Sequence, residues 1–202
     1  DESSAKGLFL ATAPTSVVKD FALINSYIAT TKEQTYVKAT AGIAAYGEGV
    51  FDSIYCDVML ENNAVVTGGI VADMQGLGEN LEIKNCWFAG SIKSANTLKN
   101  DIDMGGIIGW ARNCEALTIT DCLFTGTLDY GTGKTTNPVY AAGIVGRTGT
   151  STSTTQIELT RVLSSGVING RGGKAINAIC NTTPIICEAV YENVTTETGV
   201  II

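Results

Sequence analysis

Three kinds of residue in this 202-residue chain could do chemistry: a lysine behind glycines, a close pair of aspartates, and six cysteines. The stretch "GTGKTT" (131–136) has the ending of a phosphate-binding loop, in which backbone N–H groups cradle phosphates and the lysine reaches the outer ones. The full spacing fails, because the first glycine of such a loop would have to stand at Leu128. No helix pattern follows, so the stretch reads as a loop tip. In "NDIDM" (100–104), Asp101 and Asp103 could offer two carboxylates to a hard cation such as Ca²⁺. The remaining oxygen ligands of such a site are not evident nearby, so a solvated loop is the expectation and no metal is assigned.

Catalysis lacks its usual parts. The chain has no histidine, which removes His-dependent triads, most zinc sites and the common general base. Cys56, Cys86, Cys114, Cys122, Cys180 and Cys187 include no C-x-x-C pair and would have no histidine to activate a thiolate. Cys86 and Cys122 read as a ladder of buried free thiols, with a disulfide as the alternative, and Cys180 and Cys187 could staple the end of the fold. No catalytic residue, cofactor or metal is assigned, and the chain is expected not to be an enzyme.

The elements that place these residues are set by an internal repeat. "LEIKNCWFAGSI" (81–92), "LTITDCLFTGTL" (117–128) and "IELTRVLSSGVI" (157–168) align without a gap, and looser copies end at Leu60 and Ile28. Each is followed by a glycine-isoleucine element: Gly42-Ile43, Gly69-Ile70, Gly106-Ile107, Gly143-Ile144 and the degenerate Ala178-Ile179. Residues alternate within a unit, so that Cys86, Phe88, Gly90 and Ile92 match Cys122, Phe124, Gly126 and Leu128, then Val162, Ser164, Gly166 and Ile168. Ile54, Cys56, Val58 and Leu60 precede them, with Ala22, Ile24, Ser26 and Ile28 as the first set. A two-residue period that recurs once per unit excludes a helical repeat. The expected fold is all-β, a single-stranded parallel β-helix (β-solenoid) of about five coils. Residues 1–16 form an irregular segment or cap, 17–183 the repeats, and 184–202 an atypical terminal coil or cap. Glycines then mark bends and close backbone approaches, while Asn85 and Asp121 suit corners.

One outward column breaks the polar rule for a solvent face. Leu23, Tyr55, Trp87, Leu123 and Leu163 each follow an inward position at the strand start and would stack into an apolar stripe. Either loops 93–104 and 129–142 fold over it, or these residues line a second internal layer, or it is a docking face; Tyr55, Trp87, Leu123 and Leu163 are the candidate binding residues. The neighbouring outward columns, Asp57, Ala89, Thr125, Ser165 and Met59, Ser91, Thr127, Val167, hold no cluster of acids of the kind a polysaccharide-cleaving β-helix needs. Thr118, Thr120, Thr125 and Thr127 supply a threonine array in one coil only, which argues against ice binding.

The pairing of "IKNCWFAGSI" with a downstream "GGIIG" or "AGIVG" resembles the GLUG repeats of secreted and surface-anchored bacterial proteins, including non-catalytic regions of IgA-cleaving metallopeptidases. The resemblance covers about residues 50–180. It implies a right-handed parallel β-helix in an extracellular or cell-surface setting, often adhesive. The expected function is a structural or adhesive module whose partner is a protein or another copy, met along the solenoid ends or the stripe. The alternative is a carbohydrate-binding or carbohydrate-active β-helix with the aromatics as a sugar platform. A formal charge of −7 and a pI near 4.6 leave no basic stripe for nucleic acid or anionic membranes. No run approaches the roughly 18 apolar residues of a membrane span. Asn181 and Asn193 stand in N-x-T sequons, which carry glycan only in a eukaryotic secretory setting.

Overall fold

The computed structural model describes residues 5–30, 39–62, 64–74, 80–94, 102–112, 115–130, 139–148, 156–169, 176–179, 185–192 and 195–196. It is an all-β parallel solenoid with two faces. Along the broad face Val17–Ala29 pairs with Gly49–Asn62, which pairs in turn with Leu81–Lys84, Trp87–Phe88 and Ser91–Ser94. Ala116–Thr120, Leu123–Phe124 and Thr127–Asp129 come next, then Gln156–Ser164 and Val167–Asn169, then Ile185–Glu192 and Thr195–Thr196. Every one of these pairings is parallel, and the three gapless units stack in the register read from the sequence.

The opposite face is built from the glycine-isoleucine elements, and it is folded. Ala39–Ala41 and Ala44–Tyr46 flank one bend, Val66–Gly68 and Val71–Asp73 the next, then Ile102–Gly105 and Ile108–Ala111. Val139–Thr148 runs through the following bend and pairs with both preceding arms. The arms lie so close that a Cβ added at Gly105 would overlap the carbonyl of Ile108. Each bend also turns a glycine onto the broad face: Gly69 lies on the Phe88 ring and Gly106 on the Phe124 ring. The two rings, stacked at 6.3 Å between centroids and 7° from parallel, are wholly buried and fill the space that the glycines vacate.

Corners of the broad face repeat with equal regularity. Asp20, Ser53, Asn85, Asp121 and Arg161 have φ of 60°, 56°, 53°, 53° and 50°, a stack of left-handed residues. Single residues of this kind cost about 1 kcal/mol except where a short polar side chain can bond locally, which fits Asp, Ser and Asn. Asn85 Nδ2 donates to Asp52 at 2.8 Å, and Arg161 holds Asp121 with two bonds of 2.7 Å.

The first rung departs from the expected register. Asn25, at φ 50°, sits in a bulge between Leu23 and Ser26, so Leu23 pairs with Cys56 and packs on the core while Ala22 and Ile24 are exposed. The extra residue shifts the alternation by one place. The coil count also differs slightly from the expected five. Phe9–Ala11 is a strand parallel to Ala44–Tyr46, and Ile185–Glu192 continues the broad face.

Gly106→Ala is expected to destabilise the chain by about 3 kcal/mol or more, since its methyl would meet both the Phe124 ring and the Gly143 carbonyl. Urea unfolding followed by circular dichroism measures this, and an unchanged midpoint would contradict the packing.

Candidate functional site

The apolar stripe is real on the broad face. Tyr55 pairs with Trp87, Trp87 with Leu123, and Leu123 with Leu163, while Tyr191 takes the next place in the column. Leu23 does not belong to it, because the bulge turns that residue inward. Trp87 is 41% exposed and Leu163 38%, and Tyr55 and Leu123 are half-buried. The column is therefore neither an internal layer nor sealed by described residues; 95–101 and 131–138, within the expected covering loops, lie outside them. Trp87 is held in place: its ring meets the Tyr55 ring edge to face at 4.9 Å, and its indole N–H donates to Thr125 Oγ1 at 2.7 Å. A shallow groove of about 350 Å³, lined in part by Tyr27, Asp57, Met59 and Ser91, runs beside it.

A second cluster, on the folded face, went unread in the sequence. Tyr46, Asp73, Trp110 and Arg147 form one column of register partners. Arg112 holds the wholly buried Asp73 with bonds of 3.1 and 2.6 Å, and Arg147 lies 3.4 Å from the wholly buried Asp103. The Trp110 ring is flanked by both guanidiniums, at 3.7 Å from Arg112 and 4.6 Å from Arg147. Burial raises the Tyr46 hydroxyl pKa, as does the charge of Asp73, against the opposing pull of Arg112. Both carboxylates are paired and closed to solvent: Asp73 is held between neighbouring coils of one arm, and Asp103 is tied across to Arg147 of the other. Asp103 accordingly does not present a carboxylate to a cation, and Asp101 lies outside the described residues. No group of three or more potential metal ligands exists among the described residues.

The cysteines of the core are thiols. Cys56, Cys86 and Cys122 are buried and free, and each donates to carbonyl oxygens: Cys56 to Gly69 at 3.6 Å, Cys86 to Lys84 at 3.1 Å, Cys122 to Thr120 at 3.3 Å. Burial pushes the Cys56 thiol up to about 12, helped by the Asp57 charge and Cys86; burial likewise raises Cys122, with Cys86 adding to it. Cys114, Cys180, Asn181 and Asn193, the "GTGKTT" stretch and the Cys187 side chain lie outside the described residues.

Three outcomes follow from these groups. Removing Arg112 leaves Asp73 buried without its guanidinium, so Arg112→Ala should cost about 3 kcal/mol in denaturant unfolding, and Arg112→Ala with Asp73→Ala less than the two single losses together. Because the Cys56 thiol is raised from 9.0 to about 12, its thiolate fraction near pH 8 falls by about 10³, and a thiol reagent should label it far more slowly in the folded chain than in urea. The same shift makes stability full below pH 9 and lost as pH rises toward 12, the unfolded chain releasing its proton first. Rapid labelling of Cys56 in the native state would overturn the sealed-core reading. No family model, curated protein or solved structure matches this chain.

Proposed function

We propose that this chain is a non-catalytic structural and adhesive β-solenoid of the extracellular or cell-surface kind, which makes protein contacts and assembles with other copies. The observation that carries the reading is the Tyr55–Trp87–Leu123–Leu163 column, an apolar ridge on a solvent-facing sheet where alternation calls for polar residues. A parallel sheet backed by stacked rings is stiff, so the ridge is presented without an ordering cost on binding. The setting rests on the resemblance to GLUG repeats.

A second reading, carbohydrate binding, is favoured by one feature. The Trp87 ring is fixed by Tyr55 and Thr125 and still exposes part of its surface, as a platform for a sugar ring would. Sedimentation velocity over a range of concentrations, beside polysaccharide pull-down, separates the two. Concentration-dependent association weakened in Leu163→Asp, with no polysaccharide retained, is the expected result. Polysaccharide binding that disappears in Trp87→Ala, in a chain that stays monomeric, would replace the first reading with the second.

A further inference from the structure

A bulge interrupts the pairing of Val17–Ala29 with Gly49–Asn62, and one carboxylate stands opposite it. Leu23 pairs with Cys56 and Ser26 with Val58, so Ile24 and Asn25 together face Asp57. On its other side Asp57 has only the small Ala89, whose N–H donates to the Cys56 carbonyl at 2.9 Å. Between the bulge and this small neighbour opens the hollow of about 350 Å³, walled in part by Asn25, Tyr27, Met59 and Ser91. Tyr27 is 59% and Met59 54% exposed, and the Tyr27 hydroxyl is tied to Glu61 at 2.9 Å. Tyr55 precedes Asp57 by two residues on the same face, about 6.6 Å along the strand, with Trp87 as its register partner. The charges of this face leave Asp57 over. Lys19 pairs with Asp20 at 3.3 Å, Lys84 with Glu82 at 2.8 Å, Lys93 with Glu61 at 4.0 Å and Arg161 with Asp121 at 2.7 Å. These are the cations of the described broad-face strands, and Asp57 has no cationic partner among the described residues.

We propose that this hollow receives an arginine side chain of a protein partner, its guanidinium on the Asp57 carboxylate and its methylene stem along Met59 and Tyr27. Charge selects a cation, since the chain carries −7 and the carboxylate in the hollow is unmatched. Shape selects arginine over lysine. A planar guanidinium bonds a carboxylate through two N–H groups and stacks on aromatic rings, whereas an ammonium is a strongly hydrated point charge. The stem of the side chain covers apolar surface, which the exposed Tyr27 and Met59 supply. Ser26, whose hydroxyl donates to the Ile24 carbonyl at 3.0 Å, keeps lone pairs at the rim for the remaining N–H groups. The apolar column alone would not discriminate between partners of different charge; a carboxylate beside it does, and it fixes where along the ridge the partner sits.

The inference rests on the protein-contact reading above, and its test is local to the hollow. The chain has three methionines, of which Met59 is exposed and Met74 and Met104 are buried, so their methyl NMR signals report the hollow and the core separately. Titration of the whole chain with N-acetyl-arginine amide should move the Met59 signal to saturation and leave the other two in place. The citrulline amide, which keeps the shape and lacks the charge, should bind about fivefold more weakly, with the lysine amide between them. Asp57→Asn should weaken the arginine amide by about the same factor, with unmoved Met74 and Met104 signals showing that the core is kept. The citrulline comparison needs no variant. An absent or unsaturable Met59 shift, or equal binding of arginine and citrulline, or of arginine by the Asp57→Asn chain, overturns the assignment; so does a neutral hexose that binds there as well as arginine, which would put a sugar in the hollow. Association weakened by Leu163→Asp would survive each of these failures, because Leu163 lies rungs away from the hollow.

Discussion

Everything in this fold depends on how closely its two faces approach. A glycine on the folded face and a ring on the broad face share one layer of space, as Gly69 does with Phe88 and Gly106 with Phe124. The exchange is local to a coil but must be repeated in each, because parallel rungs inherit one another's spacing. Where the ring gives way to Ser164, the facing residue is still Gly143, and the serine takes up the close contact. The broad-face residue thus varies while the facing glycine is kept, and the backbone keeps its path.

The central units were legible because their inward residues carry the signal twice, once as alternation within a strand and once as identity between units. Cys86 with Cys122 and Phe88 with Phe124 have both, and the register followed from them. At Val17–Ala29 only alternation was present, and one left-handed Asn25 defeats a rule that assumes an unbroken pleat. The folded face was harder for another reason. Asp73 and Arg112 are 39 residues apart and Asp103 and Arg147 are 44 apart, so their charges cancel between turns and leave no local pattern. The stripe lay between these cases: its four residues from Tyr55 to Leu163 could be listed from sequence, but not whether solvent reached them.

The distribution of charge differs between the two faces. On the folded face carboxylates and guanidiniums are consumed by one another and by the Trp110 ring, and the result is a clamp. On the broad face the charged residues that pair do so in solvent, as Arg161 does with Asp121 and Lys84 with Glu82.

The register columns bear on how such a gene can change. Because each rung presents below what its neighbour presents above, recombination that copies or deletes one whole unit leaves no seam: the inserted rung meets Phe88-like and Gly106-like surfaces on both sides. Length becomes a quantity that unequal crossing-over can adjust in steps of one coil, with the cost of each step borne by its own corner and bend. Rods of different reach can therefore arise from one sequence without any residue of the remaining coils having to change.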